Sequence, residues 1–317
     1  VHDLQARQIP PVIDSSVTAA TWPSHRQDLI DNLSRHEYGF SPAAPPQVSA
    51  RLLGEERGAF AGKADHLRIE LSFPTPRGEF SFPVDLVLPR SEGKLPMAVY
   101  LSFTPYPGYP YVPVEEIVDS GYALALFCYH DVTRDQDDAF QSGLAGHFDR
   151  AGDDGTQWGK IAMWAWAASR VLDHVLTLDQ VDAQRIFVIG HSRLGKTALW
   201  CAAQNTRFAG AVANNSGCSG AAITRGKAGE RVQDIVRGFP HWFCRNYHAY
   251  AGREQDMPFE QNQLLAALAP RLVCTGSAVE DLWADPQSEF LACLSASDAY
   301  ARLGLPDRKS TRLNSSH

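Results

Sequence analysis

Ten residues, Ile189–Ala198 or IGHSRLGKTA, constrain this chain more than any other stretch, because they require a strand to meet a helix through a tight turn. Two chemistries fit them. Gly190, Gly195, Lys196 and Thr197 satisfy G-x-x-x-x-G-K-[ST], a pattern whose glycine-rich loop cradles phosphates. Gly190-His191-Ser192 also opens a nucleophile elbow, the strand-to-helix turn that lifts a serine above a sheet. Both motifs sit between a strand and a helix, so the surrounding chain has to separate them.

Strand-like runs recur at 67–73 (LRIELSF), 82–89 (FPVDLVLP), 97–103 (MAVYLSF) and 122–129 (YALALFCY). The early ones alternate and the later ones are continuously apolar, as expected on passing from an antiparallel edge to a buried parallel centre. A helix is predicted from about Trp158 to Leu176, with Ile161, Trp164, Ala165, Ala168, Leu172 and Val175 on one face. RIFVIG (185–190) is then a fifth strand, GAVANNSG (210–217) a sixth and RLVCTG (271–276) a seventh. Four strands ahead of Ser192 and an acid, Glu280 or Asp281, after the seventh match the α/β-hydrolase order. A magnesium-nucleotide site would instead want a second strand ending in aspartate. The sixth strand ends in Asn214-Asn215-Ser216 and the seventh in Thr275-Gly276. The fold expected is therefore α/β: an α/β-hydrolase with a mostly parallel central sheet and helices on both faces.

Composition removes other classes. Twenty-nine basic against 36 acidic residues give a net charge of −7, which argues against a nucleic-acid partner. No apolar run approaches 18 residues, so no transmembrane helix is predicted. The six cysteines show no C-x-x-C spacing, and Cys128 and Cys274 fall in apolar strand-like runs, where a buried thiol is the simple reading. No metal site and no cofactor are expected.

One domain is expected over 1–306, with an N-terminal arm over about 1–50 that holds a helix from His25 to Glu37, and an aromatic and charged insert over about 218–262. Residues 307–317, DRKSTRLNSSH, resemble the translation of a sequencing adaptor and are read as a non-native tail. On that reading native sequence stops at Pro306 and a C-terminal strand and helix are missing. The opening Val1 carries no leader, so the compartment is not legible.

The elbow departs from G-x-S-x-G: its second glycine comes one residue late, and Leu194 stands where a small side chain is usual. That late glycine and its neighbours carry a resemblance. GHSRLGKTALW (190–200) is similar to the nucleophile motif of the bacterial glucuronoyl esterases, the 4-O-methyl-glucuronoyl methylesterase family of carbohydrate esterases. WGKIAMWAWAASRVLD (158–173), NNSGCSGAAITR (214–225) and EDLWADPQSEFLA (280–292) resemble the same family in order and spacing, from about Trp22 to Pro306. The resemblance implies a serine esterase that cleaves the ester between 4-O-methyl-glucuronic acid on xylan and a lignin alcohol, with plant cell-wall carbohydrate as its partner. It also suggests export, to the periplasm or outside the cell.

Ser192 is the expected nucleophile, the plainer alternative being an ordinary helix N-cap. Arg193 offers a backbone N–H to the oxyanion, and the resemblance implies that its guanidinium helps. Lys196 lies one helical turn on, and the resemblance gives it sugar hydroxyls to bind; otherwise it is a solvated helix lysine. Glu230 and Trp283 fit family positions that contact the sugar, against a solvated charge and a core tryptophan. One branch of the family places the triad acid where this chain has Asn215, which cannot carry charge. Asp281 is the alternative acid, Glu280 its runner-up, and Asp285 a structural residue ahead of Pro286.

The base is the gap. Hydrolase order puts the histidine after the acid, and after Asp281 the sequence has only His317, inside the suspected tail. His191 adjoins the nucleophile and faces away from it. His130, His147, His241 and His248 precede the acid, and any of them could line the pocket. The chain as printed is therefore expected to be nearly inactive. Competing readings are an acetyl-xylan or other carbohydrate esterase, a Walker-A-like nucleotide-binding protein, and a carbohydrate-binding relative that kept only the pocket.

Overall fold

The structure is a computed structural model that describes residues 2–109, 112–305 and 309–314. Nine strands form one sheet in the order β1-β2-β3-β5-β4-β6-β7-β8-β9 among these residues. They are β1 (Ser49–Ala59), β2 (Ala64–Thr75), β3 (Gly78–Pro89), β4 (Leu95–Ser102), β5 (Ala123–Cys128), β6 (Val181–His191), β7 (Gly210–Asn214), β8 (Leu272–Ala278) and β9 (Lys309–Asn314). β1, β2, β3 and β5 pair antiparallel, and every pairing from β5 through β4, β6, β7 and β8 to β9 is parallel. The α/β-hydrolase expectation holds. The strand ahead of Ser192 is the sixth, however, because β1 was not foreseen. Most of β1 is exposed, so its sequence carries no apolar alternation, and its strand geometry comes from pairing with β2.

The central strands alternate faces as a pleat requires. Met97, Val99 and Leu101 of β4 and Ala123, Ala125 and Phe127 of β5 enter the main core, while Ala98, Leu124 and Leu126 enter a smaller one on the opposite face. Helices run α1 (His2–Ala6), α2 (Trp22–Leu33), α3 (Val114–Asp119), α4 (Tyr129–Val132), α5 (Lys160–Val175), α6 (Arg193–Gln204), α7 (Val232–Gly238), α8 (Gln261–Ala266) and α9 (Pro286–Arg302). The main core is closed by α5, α6 and α9, and the smaller one by α3. Beyond α3, among the described residues, the second face stays open: Phe187, Ile189, Val212 and Leu272 line an apolar groove of about 560 Å³.

The helix expected at 158–176 is α5, and it is buried on nearly every side rather than one, since it packs against α6, β4 and α4. In the arm, α2 starts three residues earlier than expected and then widens into a π-turn, Ser34–Tyr38, ending at Gly39 as the sequence suggested. That turn inserts Tyr38, which stacks on Trp200 of α6 with ring centroids 4.1 Å apart. Cys128, Cys201, Cys218 and Cys244 are buried thiols. The segment expected to lie outside the domain behaves otherwise, since Lys309–Asn314 pairs with β8 as β9. An exposed sheet edge offers backbone donors and acceptors to any extended segment, whatever its side chains. His317 lies outside the described residues.

Candidate active site

β6 ends at His191 and α6 begins at Arg193, so a single residue, Ser192, makes the whole connection. Its backbone sits at φ 54°, ψ −125°, a conformation that suits glycine and that serine holds only under constraint. Three hydrogen bonds impose it. The Ser192 N–H donates to the Asn214 carbonyl (2.8 Å), and the Ser192 carbonyl accepts from Gly195 N–H (2.9 Å) and Lys196 N–H (3.1 Å). The Ser192 side chain makes no capping hydrogen bond, which removes the N-cap alternative.

Two glycines let the turn close. A Cβ on Gly190 would stand 2.1 Å from the Leu194 carbonyl oxygen, and one on Gly195 would stand 3.0 Å from Ser216 Cβ. The late glycine thus lies where the first turn of α6 meets the chain after β7, and Leu194 turns inward, fully buried. The same geometry defeats the nucleotide reading. Gly190 is in the strand and Gly195, Lys196 and Thr197 are in the helix, so no loop is left to wrap a phosphate.

Ser192, Arg193, Lys196, Glu230, Asp281 and Trp283 all line one cavity of about 290 Å³, closed by Asn215, Phe239 and Trp242. Lys196 is not a solvated lysine. It is 3% exposed, and its Nζ donates to the Ser216 carbonyl (2.7 Å) and to Glu230 Oε2 (3.2 Å). Glu230, likewise expected as a possible surface charge, is 8% exposed. Trp283 is 58% exposed, so it forms the rim rather than core.

Asp281 faces the cavity, whereas its runner-up Glu280 is exposed and absent from the lining. Asp281 Oδ2 accepts from Asn215 Nδ2 (2.8 Å) and Oδ1 from the Ala284 N–H (3.0 Å). Asn215 also accepts the Ala278 N–H through Oδ1 (3.0 Å), so the tip of β7 braces the loop carrying Asp281. Asp285 is structural as expected: it accepts from the Ser288 and Ala228 N–H groups and caps α9.

Among the described residues His191 is the one histidine in the lining. Burial pushes its pKa down, outweighing the attraction of Asp281, and its Nδ1 pairs with Asn214 Nδ2 at 2.8 Å. The expectation that other histidines could line the pocket fails. None of the four is in the lining: His147 pairs with Thr75, His248 with the Pro240 carbonyl, His241 with Asp135, and His130 meets Tyr129 edge to face.

The sequence reading missed Asp135, one of several acids in an unpatterned loop, and the part played by Trp242. Asp135 pairs with Arg193 Nη1 and accepts from Trp242 Nε1 (2.7 Å). Burial pushes this carboxyl up, but the His241, Trp242 and Arg193 donors outweigh it and hold it well below the usual range. The Arg193 guanidinium lies over Trp242 (4.8 Å) and Phe239 (5.1 Å), and Lys196 Nζ lies 5.8 Å from the same Trp242 ring. A strained serine thus stands beside two cations and a braced carboxylate, an arrangement suited to acyl transfer with charge developing on oxygen.

A family model described as "Glucuronyl esterase, fungi" matches residues 73–304. The chain is 43% identical over 195 residues to carbohydrate esterase MZ0003 from an unknown prokaryotic organism, a match that takes in 60% of this chain and 45% of that protein. It is 26% identical over 307 residues to 4-O-methyl-glucuronoyl methylesterase 1 of Wolfiporia cocos, covering 92% of this chain and 69% of that one. The match therefore spans less than half of the first relative's length and about two thirds of the second's. Among solved structures, a glucuronoyl esterase from Solibacter usitatus superposes with a TM-score of 0.86 at 31% identity, covering 97% of this chain and 93% of that one. A glucuronoyl esterase from Teredinibacter turnerae gives 0.86 at 28% identity, covering 98% and 85%.

Proposed function

Because the chain belongs to the glucuronyl esterase family, we propose that it is a serine carboxylesterase acting on the ester between 4-O-methyl-glucuronic acid of glucuronoxylan and a lignin alcohol. The observation that carries the reading is the strained, uncapped Ser192 opening on a cavity that also holds Arg193, Lys196, Glu230, Asp281 and Trp283.

Ser192 Oγ attacks the ester carbonyl carbon and its proton passes to a base. The new Oγ–C bond makes a tetrahedral oxyanion, which Arg193 meets with its backbone N–H and its cation. Collapse breaks the C–O bond to the alcohol, which leaves with the proton. Water then attacks the acyl-enzyme, frees the glucuronate and restores the serine. Lys196 and Glu230 offer a donor and an acceptor to sugar hydroxyls, and Trp283 offers a ring face at the rim. Asp281 is the carboxylate that would orient the base and balance its positive charge. Between Asp281 and Pro306 the sequence holds no histidine, so no base is assigned here, and free imidazole in solution should raise turnover by these residues.

The test is hydrolysis of benzyl glucuronate against an acetylated xylose. Preferred cleavage of the glucuronate ester, lost in Ser192→Ala, supports the reading. Cleavage of acetate esters alone would move the assignment to an acetyl-xylan esterase, and turnover surviving Ser192→Ala would overturn it.

A further inference from the structure

We infer that Asp135, on the loop after α4, is a positioning residue that sets the guanidinium of Arg193 for the oxyanion. The inference rests on the esterase reading above and deepens it. The carboxylate side chain is 3% exposed and has its lone pairs filled from four sides. Oδ1 accepts from Trp242 Nε1 (2.7 Å) and His241 Nε2 (2.8 Å), and Oδ2 accepts from Arg193 Nη1 and Tyr129 OH (3.3 Å). His241 Nδ1 is buried with no partner. Its Nε2 carries the proton that Asp135 accepts. The Asp135 carboxylate and the Arg193 guanidinium face each other as an ion pair.

That pairing settles where the arginine fork points. Nη1 is committed to Asp135, Nε is buried without a partner, and the plane is fixed over Trp242 and Phe239, whose own rings stack 3.9 Å apart. The Nη2 end is the part left to reach into the cavity beside Ser192. A flexible arginine would have to be ordered at the moment of reaction, and a pre-set donor avoids that loss. Asp135 is itself fixed through its loop. The fully buried Lys160 donates to the Arg134 and Gln136 carbonyls and to Asp138, so both neighbours of Asp135 are tied to α5.

The experiment combines kinetics with side-chain ¹⁵N NMR of Arg193 in the wild type, Asp135→Asn, Arg193→Ala and the double variant. With benzyl glucuronate, Asp135→Asn should lower kcat by about 10²-fold with KM nearly unchanged, the scale expected for a misplaced oxyanion donor. In the Arg193→Ala background the same change should add nothing, because Asp135 acts through Arg193. In the spectra, the separate guanidinium N–H signals of a held arginine should merge in Asp135→Asn. If that variant does not fold, Asp135→Glu, which keeps the charge one methylene further out, should give a smaller kcat loss and shifted Arg193 signals. Unchanged signals, or a loss that persists in the Arg193→Ala background, would overturn the inference. Absence of wild-type turnover even with added imidazole would instead count against the esterase reading, and the NMR comparison would still decide whether Asp135 holds Arg193.

Discussion

Ser192 carries the clearest conflict between stability and function. At φ 54°, ψ −125° glycine is at ease and serine is not. Ser192→Gly should therefore raise stability by roughly 1–3 kcal/mol while abolishing ester turnover, a result checked by thermal melts beside the benzyl glucuronate assay. Lower stability in the glycine variant would show that the serine is unstrained. Glu37, in the π-turn, makes a second residue-scale case. It is fully buried, takes two hydrogen bonds from Gln261 Nε2 (3.1 and 3.2 Å), and burial pushes its pKa up to about 8. An unfolded chain ionises it near pH 4.3. Folding thus favours the protonated acid, so its contribution is complete below that value and is lost as the pH climbs toward 8. Denaturant midpoints should fall between pH 5 and 8, on the order of 3–5 kcal/mol in all from this group, and Glu37→Gln should flatten the decline. Parallel pH profiles for the two proteins would refute it.

At the scale of elements, the β6–α6 turn should tolerate change unequally. Gly190→Ala forces a methyl against the Leu194 carbonyl at 2.1 Å and should cost several kcal/mol along with activity, whereas Gly195→Ala meets Ser216 Cβ at 3.0 Å and the Gly190 and Asn214 carbonyl oxygens at 3.3 and 3.4 Å, and should cost about 1–2 kcal/mol. Urea melts of the two variants check the order, and equal losses would sink it. Lys160→Met should cost about 3–5 kcal/mol, because it strands two carbonyls and the Asp138 carboxylate around a vacated ammonium site. The elements differ in how far they could be read in advance. β4, β5 and β6 announce themselves because burial on both faces leaves continuous apolar runs, and the elbow because close approach demands glycines at fixed spacing. β1 was silent because its pairing, not its side chains, makes it a strand. Asp135 was silent because its importance comes from Arg193, His241 and Trp242, which lie 58 to 107 residues away along the chain.

For the whole molecule, the open groove lined by Phe187, Ile189, Val212 and Leu272 sets the surface chemistry of one flank. An apolar hollow of this size takes up amphipathic dyes. Anilinonaphthalene sulfonate should fluoresce with the native protein, and Val212→Glu, which puts a charge in the groove, should reduce the signal several-fold. A dark native protein would mean the groove is closed in solution. On the working face, Trp242 is a shared support: Arg193 and Lys196 rest on one indole, which also grips Asp135 through its N–H. Any reshaping of that ring therefore alters two cations at once. Attempts to retune sugar recognition and rate independently should find the two properties locked together, and useful variants here will come as compensating pairs rather than as single substitutions.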